Sequence, residues 1–255
     1  MKATGERIAC LTCYDASFCR VLEAAGVDVL LVGDSLGMVL QGQPSTVAVT
    51  LEQMVYHSRC VARAREHALL IVDLPFLTYA TQERAIDAAA ALMRDGGAEM
   101  VKLEGGAAMI DTVRALTGLG VPVCAHLGLL PQSVHKLGGY RYQGRDSAGA
   151  EAIRRDARSL EAAGAGLLVL ECVPADLAAE ISAMLTIPTI GIGAGSRCDG
   201  QVLVLHDMLG LHPTRAPRFS KDFLAASGGD IQAAVAAYVA AVKDGSFPGP
   251  QHTLA

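Results

Sequence analysis

The stretch Val29-Leu-Leu-Val-Gly-Asp-Ser35 sets the pattern of the chain: a short, purely aliphatic run that stops abruptly at polar residues. Strands buried on both faces read this way, because neither side chain direction meets water. Runs of the same kind recur at Ile8 to Cys13, Leu69 to Val72, Ala98 to Val101, Val121 to Ala125, Gly166 to Leu170, Ile187 to Ile192 and Val202 to Leu205, and the quoted run begins at Val27. Between most of them lie stretches with helical spacing, as at Leu51 to Glu66, Gln82 to Arg94, Ala107 to Leu116, Glu151 to Ala163 and Ile231 to Lys243. Several close on glycine, at Gly26, Gly96 and Gly164. Eight parallel strands alternating with helices predict an α/β chain folded as a single (β/α)8 TIM barrel over residues 1–255, with an open doubly wound sheet as the rival arrangement.

Bulk properties agree with one large soluble domain. The chain has 255 residues, 51% of them hydrophobic and 18% charged, which excludes a disordered or fibrous protein. The formal charge of -5 leaves no basic face to neutralise phosphates, so no nucleic-acid partner is expected. Mean hydropathy is +0.35, yet the longest clean apolar run, Ala233 to Val242, is shorter than the roughly 18 residues of a membrane span. No membrane partner is expected, and with no secretory signal visible ahead of Ile8 the expected location is cytoplasmic. The 7 cysteines lie mostly inside apolar runs and read as buried thiols; Cys10 and Cys13 lack the further ligands of a zinc site.

Ionisable residues follow the apolar runs directly. Asp34 and Ser35, Asp73, Lys102 and Glu104, His126, Glu171, and His206 with Asp207 all stand at run ends. In a barrel these positions are the C-terminal mouth, where active sites are built. Lys102 and Glu104, two apart on one strand, face the same way. Each residue also has a plainer reading. Asp15 reads as the cap of a helix, Asp34 and Asp73 individually as turn residues, His126 as a core imidazole, and His57 and His67 as solvated positions on a helix. Asp34, Asp73 and Glu104 together would crowd like charges, a cost that a bound cation relieves, and oxygen ligands favour a hard ion, Mg²⁺ before Zn²⁺. The run Gly191-Ile-Gly-Ala-Gly195 lacks the dinucleotide-loop spacing and reads as close backbone packing or ligand approach. Gly128 to Ala148, with Lys136, Arg141 and Arg145, is too long for a simple connection and reads as a lid or insert loop.

Taken in order, Val32-Gly-Asp-Ser-Leu-Gly-Met38, Val72-Asp-Leu-Pro-Phe76, Val101-Lys-Leu-Glu-Gly-Gly106, Ala125-His-Leu-Gly-Leu129 with Pro131-Gln-Ser133, Leu170-Glu-Cys-Val-Pro174 and Ile187-Pro-Thr-Ile-Gly-Ile-Gly-Ala-Gly195 resemble the ketopantoate hydroxymethyltransferase family, and the match continues to Phe247-Pro-Gly249. The resemblance implies transfer of a one-carbon unit from 5,10-methylenetetrahydrofolate, as co-substrate, to the 2-oxo acid 3-methyl-2-oxobutanoate, with Mg²⁺ at the strand ends. By position in these motifs Asp34 and Asp73 match the metal ligands, with Glu104 completing the metal environment. Ser35 and Lys102 match ketoacid-binding residues, His126 a histidine of the same pocket, and Glu171 the proton acceptor. A homo-oligomer, a decamer in the family, is implied as well. Members carry a helical stretch before the first strand, whereas Met1 to Arg7 alone precede it here, and Arg218 stands where lysine is common.

Chemistry separates the two glutamates. A free glutamate is a poor base for a carbon acid, and burial that raises its pKa from near 4.3 to roughly 6.5 changes its protonation energy by about 3 kcal/mol. Glu171 leaves an all-aliphatic run with no basic neighbour in sequence, whereas Glu104 shares a strand face with Lys102, so Glu171 is the expected base. Two other classes remain open: a Mg²⁺-dependent lyase or mutase acting on another 2-oxo acid, and a silent ketoacid or folate binder that keeps the barrel.

Overall fold

The computed structural model describes residues 1–139, 141–211 and 216–253. Eight strands, β1 (Ile8–Thr12), β2 (Val29–Val32), β3 (Leu69–Asp73), β4 (Met100–Glu104), β5 (Val123–Gly128), β6 (Leu167–Glu171), β7 (Thr189–Ile192) and β8 (Gly200–Leu203), form a closed barrel in sequence order. Every neighbouring pair is parallel, and β8 closes on β1. The fold is a (β/α)8 barrel, as the aliphatic runs predict.

Two apolar layers explain why those runs lack polar alternation. Cys10, Val29, Leu31, Ile71, Cys124, Val169, Ile190 and Val202 fill the barrel interior. The intervening residues, such as Leu11, Leu30, Val32, Leu70, Val72, Val101, Leu103 and Leu168, pack outward against the helices. Cys10 and Cys13, an odd spacing apart, therefore belong to different layers, and both are free buried thiols.

The helices are α1 (Ala16–Ala24), α2 (Leu51–Ala62), α3 (Gln82–Arg94), α4 (Ile110–Gly118), α5 (Ser147–Ala162), α6 (Ala175–Met184) and α7 (Ile231–Asp244), with shorter turns between. Asp15 caps α1 by accepting from the Ser17 and Phe18 N–H groups, as expected of it. A capping box of Thr50 and Gln53 opens α2. That helix ends at Ala62, not at Glu66, because the Glu23 carboxylate takes the N–H groups of Glu66, His67 and Ala68 and turns the chain toward β3. His67 is solvated as expected but lies beyond the helix, while His57 is on the helix as expected but half-buried, with Nδ1 2.8 Å from the Tyr14 carbonyl. At the other boundary, Asp146 caps α5 and starts it at Ser147, earlier than its apolar spacing suggests.

Between β7 and β8 the described chain forms no helix. Residues 193–199 run from the mouth to the base as a tight return, and side chains fill the space at its glycines. A Cβ on Gly191 would come within 3.0 Å of the Cys198 sulfur, so close packing is the reading of this glycine run that the structure supports. The barrel closure is braced from α7: the Tyr238 hydroxyl, fully buried, shares its one proton between the carbonyls of Cys10 on β1 (2.8 Å) and Gln201 on β8 (3.0 Å). Tyr238→Phe keeps the ring and removes this brace. It is expected to cost about 1–2 kcal/mol, read as a lower urea midpoint with unchanged slope; an unshifted midpoint contradicts the bracing role.

Candidate active site

Strand register builds the site. Asp73 on β3 lies opposite Lys102 on β4, Glu104 opposite His126 on β5, and Gly128 opposite Glu171 on β6. Because alternate residues face the interior, these side chains rise as a staircase toward the mouth instead of forming one ring. They follow the aliphatic runs as expected, and the strands extend to include them. Asp73, Glu104 and Glu171 end their strands, and Lys102 and His126 lie within theirs. An inward polar side chain does not interrupt the ladder, since the main chain around it is fully paired; Leu74 N–H, for example, donates to the Lys102 carbonyl at 2.8 Å.

At the lower step, Lys102 Nζ donates to Asp73 Oδ1 at 2.6 Å, and both side chains are buried. The other Asp73 oxygen accepts from the Asp34 N–H at 3.0 Å, so the two aspartates adjoin across the ends of β2 and β3. Burial pushes the Asp34 carboxyl well up, and the charges of Asp73 and Glu104 add to the push. Burial pulls the Lys102 ammonium down, but Asp73, Glu104 and Asp34 outweigh it and leave the group held firmly protonated. Ser35 is half-buried next to Asp34, with its Oγ 2.9 Å from the Tyr14 hydroxyl.

His126 links the upper steps. Its Nδ1 lies 3.5 Å from Glu104 Oε1 and its Nε2 3.3 Å from Glu171 Oε2. Neither nitrogen makes a hydrogen bond of ordinary geometry, so the ring is coupled to both carboxylates mainly by charge and belongs to the site, not to the apolar core. Burial and the Lys102 charge pull the imidazole down, yet the two glutamates prevail and push it up to about 9. Burial opposes ionisation of Glu104 too, but His126, Lys102 and the Gln132 N–H together hold it below the usual carboxylate range. Glu171 is the more open glutamate, with its side chain 14% exposed against 3% for Glu104. The sequence reading of Glu171 as a carboxylate without a basic neighbour is thereby corrected, since strand pairing brings His126 to it from 45 positions away along the chain.

Sequence reasoning missed Gln132. Its side chain, 5% exposed, donates through Nε2 to Asp34 Oδ2 (2.8 Å) and to the Leu74 carbonyl (2.9 Å), and its Oε1 accepts from the Tyr79 hydroxyl (2.5 Å). Its own N–H donates to Glu104 Oε2 at 3.0 Å. The motif Pro131-Gln-Ser133 was the available signal, but nothing in its spacing says that the amide turns inward.

The segment expected as a lid, 128–148, starts on β5 and ends inside α5. Near its start, Gly128 has φ 97 and its position allows no side chain, because a Cβ would overlap the Glu171 carbonyl. Farther on, the Gln143 N–H donates to the Cys172 carbonyl at 3.0 Å, and Cys172 itself takes a left-handed φ of 48 directly after Glu171. Lys136, Arg141 and Arg145 are exposed. His206 is set apart from the staircase and stacks at a tilt on Tyr14.

The fit of a divalent ion can be judged from charge. Four carboxylates, Asp34, Asp73, Glu104 and Glu171, face two cations, Lys102 and a protonated His126, so two negative charges remain in surplus when all are ionised. A hard dication matches that surplus and the oxygen donors of the adjoining aspartates. Among the described residues no group of three or more His, Cys, Asp or Glu side chains is drawn close enough to hold a metal by itself. Glu104 joins the aspartates through Gln132.

The sequence profile of a family described as ketopantoate hydroxymethyltransferase matches residues 1–250. The chain belongs to that family of enzymes. Relatives named 3-methyl-2-oxobutanoate hydroxymethyltransferase include one from Thiobacillus denitrificans, 64% identical over 255 residues that make up 100% of this chain and 96% of the relative. Another, from Burkholderia multivorans, is 60% identical over 254 residues, covering 100% of this chain and 93% of the relative. Among solved structures, a phosphonopyruvate hydrolase in complex with oxalate and Mg²⁺ superposes with a TM-score of 0.62 at 11% identity, covering 79% of this chain and 77% of that one. A phosphoenolpyruvate phosphomutase from Streptomyces platensis subsp. rosaceus gives 0.61 at 13% identity, with 80% and 78% covered. At these identities the likeness shows the barrel and carries no chemistry.

The buried Lys102–Asp73 pair has a measurable consequence for this family member. Lys102→Met leaves Asp73 buried without its counter-charge and is expected to cost about 3–5 kcal/mol in metal-free urea unfolding. The double variant Lys102→Met with Asp73→Asn is expected to recover part of that loss. A single variant as stable as the parent contradicts the pairing.

Proposed function

We propose that this enzyme transfers a hydroxymethyl group from 5,10-methylenetetrahydrofolate to 3-methyl-2-oxobutanoate, giving ketopantoate (2-dehydropantoate) for pantothenate and coenzyme A synthesis, with Mg²⁺ as cofactor. The observation that carries this reading, beside family membership, is that two adjoining aspartates and a separate, more open glutamate meet at one end of the barrel. Asp34 and Asp73 would hold the ion, with Glu104 completing its surroundings. When bound, Mg²⁺ supplies Lewis-acid stabilisation of negative charge on the ketoacid oxygens.

The remaining work falls to the chain. Lys102 offers a fixed positive charge to the substrate carboxylate and Ser35 a hydroxyl donor. Glu171 accepts the proton from C3 of the ketoacid, and the electron pair of that C–H bond passes into the C2–C3 bond and onto the carbonyl oxygen. His126, held protonated between the glutamates, balances the Glu171 carboxylate and lends Glu104 a counter-charge. C3 then bonds to the methylene carbon of the folate, both bonds from that carbon to nitrogen break, water supplies the hydroxyl oxygen of the product, and the two freed nitrogens take up the proton removed from C3 and the second proton of the water. Glu171 suits the base role better than Glu104, which the Gln132 N–H and His126 occupy and which lies deeper. The segment 128–148 serves as the lid, with Lys136, Arg141 and Arg145 meeting the glutamyl tail of the folate.

The assembly is proposed as a homo-oligomer working in the cytoplasm without nucleic-acid or membrane partners; its formal charge of -5 and free thiols support that setting. No helix among the described residues is long and apolar enough to cross a membrane.

Two measurements test the reading. Consumption of 3-methyl-2-oxobutanoate is expected to require methylenetetrahydrofolate, to stop with EDTA and to resume with added Mg²⁺; turnover without the folate points to a lyase or mutase instead. Glu171→Gln is expected to abolish exchange of the C3 proton into D₂O while leaving Mg²⁺ and ketoacid binding intact. Full exchange in that variant removes Glu171 from the base role.

A further inference from the structure

Four contacts converge on Gln132, and their chemistry fixes which way its amide points. The Leu74 carbonyl is an acceptor that never carries a proton, so it must face the NH₂ end, and the same nitrogen lies against Asp34 Oδ2, while the Tyr79 hydroxyl donates to the oxygen. Turned around, the amide oxygen would oppose the Leu74 carbonyl oxygen in a buried site. Both amide donors are therefore committed, one to Asp34 Oδ2 and one to the Leu74 carbonyl. The main-chain N–H of the same residue holds Glu104 Oε2. One residue, supplied by neither β2 nor β4, thus sets the positions of a carboxylate following the first and of another ending the second.

Gln132 also belongs to the segment 128–148, whose far part is tied to the other half of the site. The Gln143 N–H holds the Cys172 carbonyl, and the Tyr142 hydroxyl and Cys172 sulfur both crowd Gly193, where a Cβ would come within 3.0 Å of the first and 3.2 Å of the second. Cys172 follows Glu171 directly. The segment therefore touches the aspartates at one end and the turn beyond Glu171 at the other, with the exposed Lys136 and Arg141 between.

We propose that Gln132 is a positioning residue: its amide orients Asp34 and its N–H orients Glu104 for a divalent cation, so that cation binding and the packing of the described chain following β5 are coupled through this one side chain. The inference rests on the metal reading given above and adds the residue that makes the carboxylates competent. Gln132 does not touch the reacting atoms; it acts through Asp34 and Glu104. Tyr79 supports it in turn, by fixing the amide oxygen.

The test uses the full chain and Mg²⁺ alone as probe. Gln132→Met keeps the length of the side chain and removes both amide donors, and Tyr79→Phe leaves those donors in place but frees the amide oxygen. By calorimetry the parent is expected to bind Mg²⁺, Tyr79→Phe several-fold more weakly, and Gln132→Met about 10–100-fold more weakly, the range typical of residues that orient metal ligands. In the parent, Mg²⁺ is expected to slow tryptic cleavage after Lys136 and Arg141, and in Gln132→Met to leave it unchanged. A purely structural role would lower the Tm of the metal-free variants without reordering these Mg²⁺ affinities. Should Gln132→Met fail to fold, the Tyr79→Phe affinity and protection decide alone. Variants that bind Mg²⁺ within twofold of the parent and keep its protection overturn the positioning role while the metal reading stands; a parent that binds no Mg²⁺ overturns both.

Discussion

Negative charge is packed into the mouth of this barrel beyond what its own cations neutralise, and much of the local architecture answers that constraint. Lys102 and Asp73 are both taken out of water, a transfer whose desolvation cost offsets most of the Coulomb attraction regained inside the protein. Such a pair adds little net stability. Its value is positional, since it fixes Asp73 at 2.6 Å from the ammonium and thereby directs the second carboxylate oxygen toward the Asp34 N–H. His126 does the same for the two glutamates on the upper step, holding charge of opposite sign between them. Burial and the neighbouring carboxylates accordingly push the Asp34 carboxyl up.

A second consequence concerns the connection after β5. A stretch of this length with several glycines and basic residues invites description as a loop that folds over a finished site. Its first half is instead part of the site: Gln132 supplies donors to two carboxylates, and Gly128 is pressed against the Glu171 backbone. Its second half leans on the turn at Cys172, where a non-glycine residue in the left-handed region stores local strain of the kind found at functional turns. Gln132 thus ties the connection to Asp34 and Glu104, and the Gln143 N–H ties it to the turn after Glu171.

The distant likeness to phosphonopyruvate hydrolase and phosphoenolpyruvate phosphomutase fits the general behaviour of barrels, in which one scaffold serves many reactions through residues at strand ends. On this scaffold the chain carries a staircase of ionisable groups and a short helix-free return from β7 to β8, where glycines allow backbone and side chains to approach closely.

Strand number, their parallel order and the end of the barrel where the ionisable residues gather were legible in the residues themselves, because a doubly buried strand leaves an unbroken aliphatic run and an ionisable residue at its end is conspicuous. Asp15 as a cap, and Asp34, Asp73, Lys102, Glu104 and Glu171 as mouth residues, followed from that local pattern. Helix ends were less legible, since the Glu23 carboxylate that stops α2 arrives from another element. Only the tertiary structure could place His126 against Glu171, or turn Gln132 inward to join Asp34 and Glu104, because those contacts depend on strand register and barrel closure. Hydrogen bonds between residues that lie 28 and 98 positions apart leave no trace in composition or periodicity.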